Sequence, residues 1–165
     1  MKKIIFVLVL LFSVVSFTTD AFSHCQIPCG IYDDQARFDM IAEHITTIEK
    51  SITKIQELSV QENKNFNQIV RWVNNKETHA DYIIEIATQY FLAQRMKPVA
   101  EDDSKAYNAY VKKVTLLHEI VINAMKAKQN ADLEYVSKLR SLLKDFQAAY
   151  FGQAEKKEGV VKQRQ

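Results

Sequence analysis

The sequence predicts an all-α chain folded as an antiparallel four-helix bundle, and three observations carry that expectation. Only 3 Gly and 2 Pro punctuate 165 residues, whereas a sheet protein of this size draws heavily on Gly, Pro, Asn and Asp for its turns. Hydrophobic residues make up 47% and charged residues 25%, a globular balance rather than a disordered or fibrous one. Apolar residues recur at spacings of three and four in four separate stretches, the period of a helix with one buried face. The length fits one domain of ordinary size. A β-sandwich, a barrel and a nucleotide fold with Gly-rich loops are excluded on the same grounds.

The first segment is not part of the bundle. Lys2 and Lys3 open it, Ile4 to Val15 is apolar except for Ser13, and Ala21-Phe22-Ser23 sets small residues three and one places before a cut. This is the three-part layout of a secretory signal peptide. A membrane anchor needs about 20 apolar residues, and this run has 12. Residues 1–23 are therefore expected to be removed by signal peptidase. The product is expected to be exported, periplasmic or secreted, with no stable membrane insertion after cleavage. His24 becomes its first residue.

Residues 33–152 hold the expected bundle. Phe38, Ile41, Ile45, Ile48, Ile52, Ile55 and Leu58 form the first stripe, with Asp33 or Asp34 available to cap the helix. After the polar turn Gln61 to Asn65, the second stripe reads Phe66, Ile69 or Val70, Val73, Glu77, Ala80, Ile84, Ala87 and Phe91, and Lys97-Pro98 stops it. The third carries Tyr107, Tyr110 or Val111, Val114, Leu117, Val121 and Met125 before the break at Gln129-Asn130. The fourth carries Leu133, Val136, Leu139, Leu142 or Leu143, Phe146 and Tyr150, with Gly152 as its C-terminal stop. Residues 153–165 form a polar tail. His44, His79 and His118 are expected to stand apart as ordinary surface or boundary residues. A net charge of +2 is too small for the concentrated basic face that nucleic acid requires, so no nucleic-acid partner is expected.

The chemistry is concentrated in residues 24–32. His24-Cys25-Gln26-Ile27-Pro28-Cys29-Gly30-Ile31-Tyr32 follows the cut directly and holds both cysteines of the chain. It offers an imidazole, a free α-amine if His24 is the N-terminus, and two thiols four residues apart. Pro28 and Gly30 can bend the segment so that both sulfurs face one point. Two nitrogens and two sulfurs in a plane suit a metal of square-planar preference, Ni(II) or Cu(II), rather than tetrahedral zinc. A Cys25–Cys29 disulfide is the simpler alternative in an oxidising compartment.

The segment His24-Cys25-x-x-Pro28-Cys29-Gly30-x-Tyr32 resembles the nickel hook of the nickel-containing superoxide dismutase family, whose members also carry a four-helix bundle behind the hook. The resemblance implies a superoxide dismutase with a nickel ion as cofactor, assembled as a homohexamer. It implies that His24 gives its amine and, in the oxidised state, its imidazole; that Cys25 gives its backbone nitrogen and thiolate; and that Cys29 gives its thiolate. It further implies a cis Ile27-Pro28 bond, Tyr32 at the metal as a catalytic residue alongside His24, and a second tyrosine matched by Tyr90 of Tyr90-Phe91. Asp39, through the shared Gln35-Ala36-Arg37 context, is the nearest match for an acidic partner of the His24 imidazole, with Glu43 as the other choice. Gln26 stands where some members have Asp, and the family's arginine near the site finds only Arg71 or Lys76 as guesses. The resemblance sets a redox enzyme against two other readings, a non-catalytic nickel or copper carrier and a disulfide-bonded helical interaction protein.

Overall fold

A computed structural model describes residues 34–152, and every described element is helical. The helices are α1 (Asp34–Ser59), α2 (Phe66–Glu85), α3 (Ser104–Gln129) and α4 (Leu133–Phe151), and α2 runs straight on into a π-helical segment, Ile86–Arg95. A 26-residue helix such as α1 or α3 is about 39 Å long. The residues between α1 and α2, or between α3 and α4, cannot span that length. Each helix therefore folds back on its predecessor. α1 packs on α2, α2 on α3, α3 on α4, and α4 closes the ring onto α1.

Side-chain caps start three of the four helices. Asn65 accepts from the Gln68 amide at 3.2 Å, Asp103 from the Ala106 amide at 2.9 Å and Asp132 from the Glu134 amide at 2.8 Å, each satisfying one of the free donors of a first turn. α4 ends as the Gly152 amide donates to the Ala148 carbonyl at 3.1 Å. Gly152 keeps right-handed geometry, so the stop falls at the expected residue without the left-handed turn that usually explains a terminal glycine.

The first and fourth stripes are buried over most of their length: Phe38, Ile41, Ile45, Ile48, Ile52 and Ile55 on α1, and Val136, Leu139, Leu143 and Phe146 on α4, while Leu58 and Tyr150 are half-buried and Leu133, at the start of α4, is exposed. The second and third stripes are buried only in part as expected. Ala80, Ala87, Phe91 and Leu117 are buried, but Lys76 and Ile83 replace Glu77 and Ile84, Phe66 is exposed, and α3 buries Ile120, Ala124 and Ala127 while Val121 is half-buried and Met125 exposed. Lys76 is buried because its ammonium serves as a cap in trans. It donates to the Ala127 carbonyl at 2.5 Å and to that of Lys128, two of the acceptors that the end of α3 leaves unsatisfied. Burial, and more weakly the Lys128 charge, push the Lys76 pKa down while Glu77 resists.

One end of the bundle is filled by aromatics from three elements. Phe38 of α1, Phe91 of the π segment and Phe146 of α4 are all buried, with ring centroids 4.9 to 5.2 Å apart. Tyr150 packs edge-on against Phe38 and Phe91 at 5.5 Å. Such contacts add to simple area burial. Phe38→Ala removes the shared member and is expected to cost about 3–5 kcal/mol, read as a lower urea midpoint with the helical circular dichroism of the folded state retained.

Candidate functional site

The chain enters α1 at Asp34, two residues after Tyr32, and the Asp34 side chain is not spent on capping. One carboxylate oxygen accepts from the Tyr90 hydroxyl and from Arg95 Nε at 3.0 Å, and the other accepts from the Tyr150 hydroxyl at 2.7 Å. Arg95 Nη2 in turn donates to the Tyr90 hydroxyl oxygen at 2.8 Å. The guanidinium groups of Arg37 and Arg95 each lie 4.8 Å from the Tyr90 ring centroid, within cation–π range. One carboxylate thus ties α1, the π segment and α4 together above the aromatic cluster.

The π segment makes this arrangement possible. Tyr90 and Arg95 are five residues apart, which on an α-helix is about 140° around the axis. In a π-helix that spacing closes one turn. The Met96 backbone amide, donating to the Phe91 carbonyl at 2.9 Å, repeats the five-residue step. Tyr90 and Arg95 therefore share a face and reach the same carboxylate.

The electrostatics follow from the contacts. Burial alone would raise the Asp34 pKa, but hydrogen bonds from Tyr90 and Tyr150, with the charge and hydrogen bond of Arg95, hold it below the ordinary value. Burial and the hydrogen bond to Asp34 push the Tyr90 and Tyr150 hydroxyls up, Arg95 pulling the other way. Both tyrosines stay protonated, with their protons directed at Asp34.

Of the residues singled out from sequence, His24, Cys25, Pro28, Cys29, Gly30 and Tyr32 lie outside the described residues. Tyr90 is buried at the Asp34 cluster. Asp39 is exposed on α1 and accepts from Gln35 Nε2 on the same helix at 2.8 Å. Gln35 also accepts from Gln147 Nε2 at 2.9 Å, which fastens this turn of α1 to α4. Glu43 is exposed one turn further on. The arginines beside Tyr90 are Arg37 and Arg95, whereas Arg71 is exposed on α2 and Lys76 is committed to the end of α3. Asp34, Arg95 and Tyr150 escaped sequence reasoning. Their only sequence signal is an acid at a helix start, where capping is the default use.

A cavity of about 250 Å³ opens beside Tyr90, lined also by Arg37, Met40, His44, Tyr82, Glu85 and Ile86. At its far side the expectation of isolated histidines is corrected. His44 Nδ1 and His79 Nδ1 are 3.0 Å apart, joining α1 to α2, and the Tyr82 ring packs on both imidazoles. Sequence reading misses the pair because the two residues are 35 positions apart and each has polar neighbours on its own helix. His118 is exposed on α3. Among the described residues no group of three or more His, Cys, Asp or Glu is placed to hold a metal ion, and no helix is long and apolar enough to cross a membrane.

A family model, nickel-containing superoxide dismutase, matches residues 19–154. The match spans the hook positions and the whole described bundle. No curated protein and no solved structure matches.

Asp34 gives the cluster a defined pH dependence. With a folded pKa below the ordinary 3.8, its contribution to stability is complete above that value and is lost as the pH falls through the lowered one. Asp34→Asn is expected to cost on the order of 1–3 kcal/mol at neutral pH and to flatten the loss of stability between pH 4 and pH 2. Urea unfolding of both proteins across that range checks it.

Proposed function

The chain belongs to the nickel-containing superoxide dismutase family and is an oxidoreductase that converts superoxide to dioxygen and hydrogen peroxide with nickel as its cofactor; from that premise we propose that residues 24–32 are its metal centre. The observation that carries the reading is the segment His24-Cys25-x-x-Pro28-Cys29-Gly30-x-Tyr32, which contains the chain's only two cysteines, inside a match that spans 19–154. The donor set fits the metal. An amine, a deprotonated amide nitrogen and two thiolates suit square-planar nickel, and ligands so electron-rich favour the higher oxidation state. Nickel held there supplies the one-electron cycling between Ni(II) and Ni(III) that dismutation requires.

The protein's own residues do the rest. Cys25 and Cys29 must lose their protons to serve as ligands, and Pro28 before Cys29 with Gly30 after it are the residues that would let the segment bend. Tyr32 is the residue assigned to order water or substrate where the metal would be held. Asp39, or Glu43, is the acidic partner assigned to the His24 imidazole. Tyr90 holds its proton in the arrangement seen: its hydroxyl donates to Asp34 and accepts from Arg95, and burial raises its pKa. Its contribution is a fixed ring beside the point where residue 32 joins the bundle through Asp34.

Residues 1–23 act as a cleaved signal peptide, residues 33–152 as the bundle and residues 153–165 as a tail. The mature protein is exported, to the periplasm or beyond, and assembles as a homohexamer. Export doubles as maturation in this reading, since the His24 α-amine exists only after signal peptidase has cut before it. The mature chain with one extra Ala ahead of His24 is expected to fold yet show no superoxide removal when supplied with nickel. Full activity of that form would discard the amine as a ligand.

Tyr32→Phe is expected to keep its nickel, by metal analysis, while changing activity or the response to added peroxide. Identical kinetics across superoxide and peroxide concentrations would take Tyr32 out of the mechanism.

A further inference from the structure

The mechanism above leaves the His44–His79 pair unused. Two imidazole nitrogens from neighbouring helices point at each other at 3.0 Å, with ring planes 64° apart. They sit half-buried under Tyr82, whose ring lies 5.2 Å from His44 and 5.7 Å from His79. His44 also lines the cavity that reaches Tyr90, so an ion or water can approach the pair from that side.

With metal–nitrogen bonds of about 2.0–2.1 Å, two nitrogens 3.0 Å apart subtend about 95° at a shared ion. That is near the right angle between neighbouring ligands of a square-planar or octahedral ion. A tetrahedral zinc site would need nitrogens about 3.3 Å apart. We propose that His44 and His79 form a second, exchangeable site for Ni(II), built by the bundle and separate from residues 24–32.

The ligand state costs little to reach. When the two Nδ1 atoms share a hydrogen bond, one ring carries its proton on Nδ1. That proton moves to Nε2 of the same ring, both Nδ1 lone pairs turn to the ion, and no net charge is released. Burial, then the neighbouring His79, hold the His44 pKa below its ordinary value against the pull of Glu43, which keeps His44 in the neutral form that metals bind. Two protein ligands leave the other positions of the ion to water in the cavity. Such a site exchanges its metal readily, unlike a centre closed by thiolates.

The test is the stoichiometry of nickel taken up by the full mature chain in equilibrium dialysis against Ni(II). The nickel-loaded protein is expected to take up a second equivalent. H44N and H79N are each expected to reduce the total to one, and H118N, at an exposed histidine on α3, to leave it at two. A C25S/C29S chain is expected to keep the equivalent that depends on His44, so failure of the hook assignment and failure of the pair give different results. Histidine side-chain nitrogen resonances supply a readout independent of activity, with His44 and His79 shifting together on nickel addition. Uptake of one equivalent only by the loaded protein, or a second equivalent unaffected by H44N and H79N, would overturn the site.

Discussion

The described structure hangs on one carboxylate. Asp34 sits at the first turn of α1 and takes hydrogen bonds from Tyr90, Arg95 and Tyr150, so α1, the π segment and α4 meet at a single charged group. A half-buried carboxylate is costly unless it is paired and hydrogen-bonded, and here both oxygens are served. Directly beneath, Phe38, Phe91 and Phe146 supply a rigid apolar floor. The polar clamp and the aromatic floor fix the same three elements from two sides. Because the chain passes from Tyr32 to Asp34 in two residues, the position at which the hook segment joins the bundle is set by this clamp.

The π segment is the price of that geometry in helix regularity. A ten-residue stretch of five-residue hydrogen bonding, Ile86–Arg95, gives up good α-helical contacts, and what it gains is the alignment of Tyr90 with Arg95. Continued as an α-helix, the segment could present Tyr90 to Asp34 or Arg95 to Asp34, but not both from one face. Burial nevertheless runs through the junction unbroken: Ile83, Ile86, Ala87, Tyr90 and Phe91 keep the three- and four-residue spacing of one helical face.

This marks the boundary of what the sequence discloses. The helix count, the turns and the stripes of α1 and α4 are legible because a regular period and local caps determine them. The exact faces of α2 and α3 are not, since Lys76 is buried to satisfy carbonyls of a different helix and nothing near Lys76 in sequence announces that need. The proposed metal ligands are readable for the opposite reason: amine, amide and thiols lie within six residues, so their chemistry is local and needs no fold to bring it together. Asp34, Arg95 and Tyr150 come from positions up to 116 residues apart, and the His44–His79 pair spans 35. Contacts of that range are made by topology and leave no pattern along the chain.

Locality of the proposed ligands also suits a division of work. A donor set contained in one short terminal segment, as proposed for residues 24–29, asks the bundle for placement. What the bundle must provide is a fixed point of attachment and neighbouring groups held in one protonation state. Asp34 does both. It anchors the start of α1, and burial together with the hydrogen bonds to Asp34 raises both tyrosine hydroxyls above their ordinary value, so both stay protonated. A metal centre that changes oxidation state twice per turnover is better served by such unchanging surroundings than by neighbours that titrate with it.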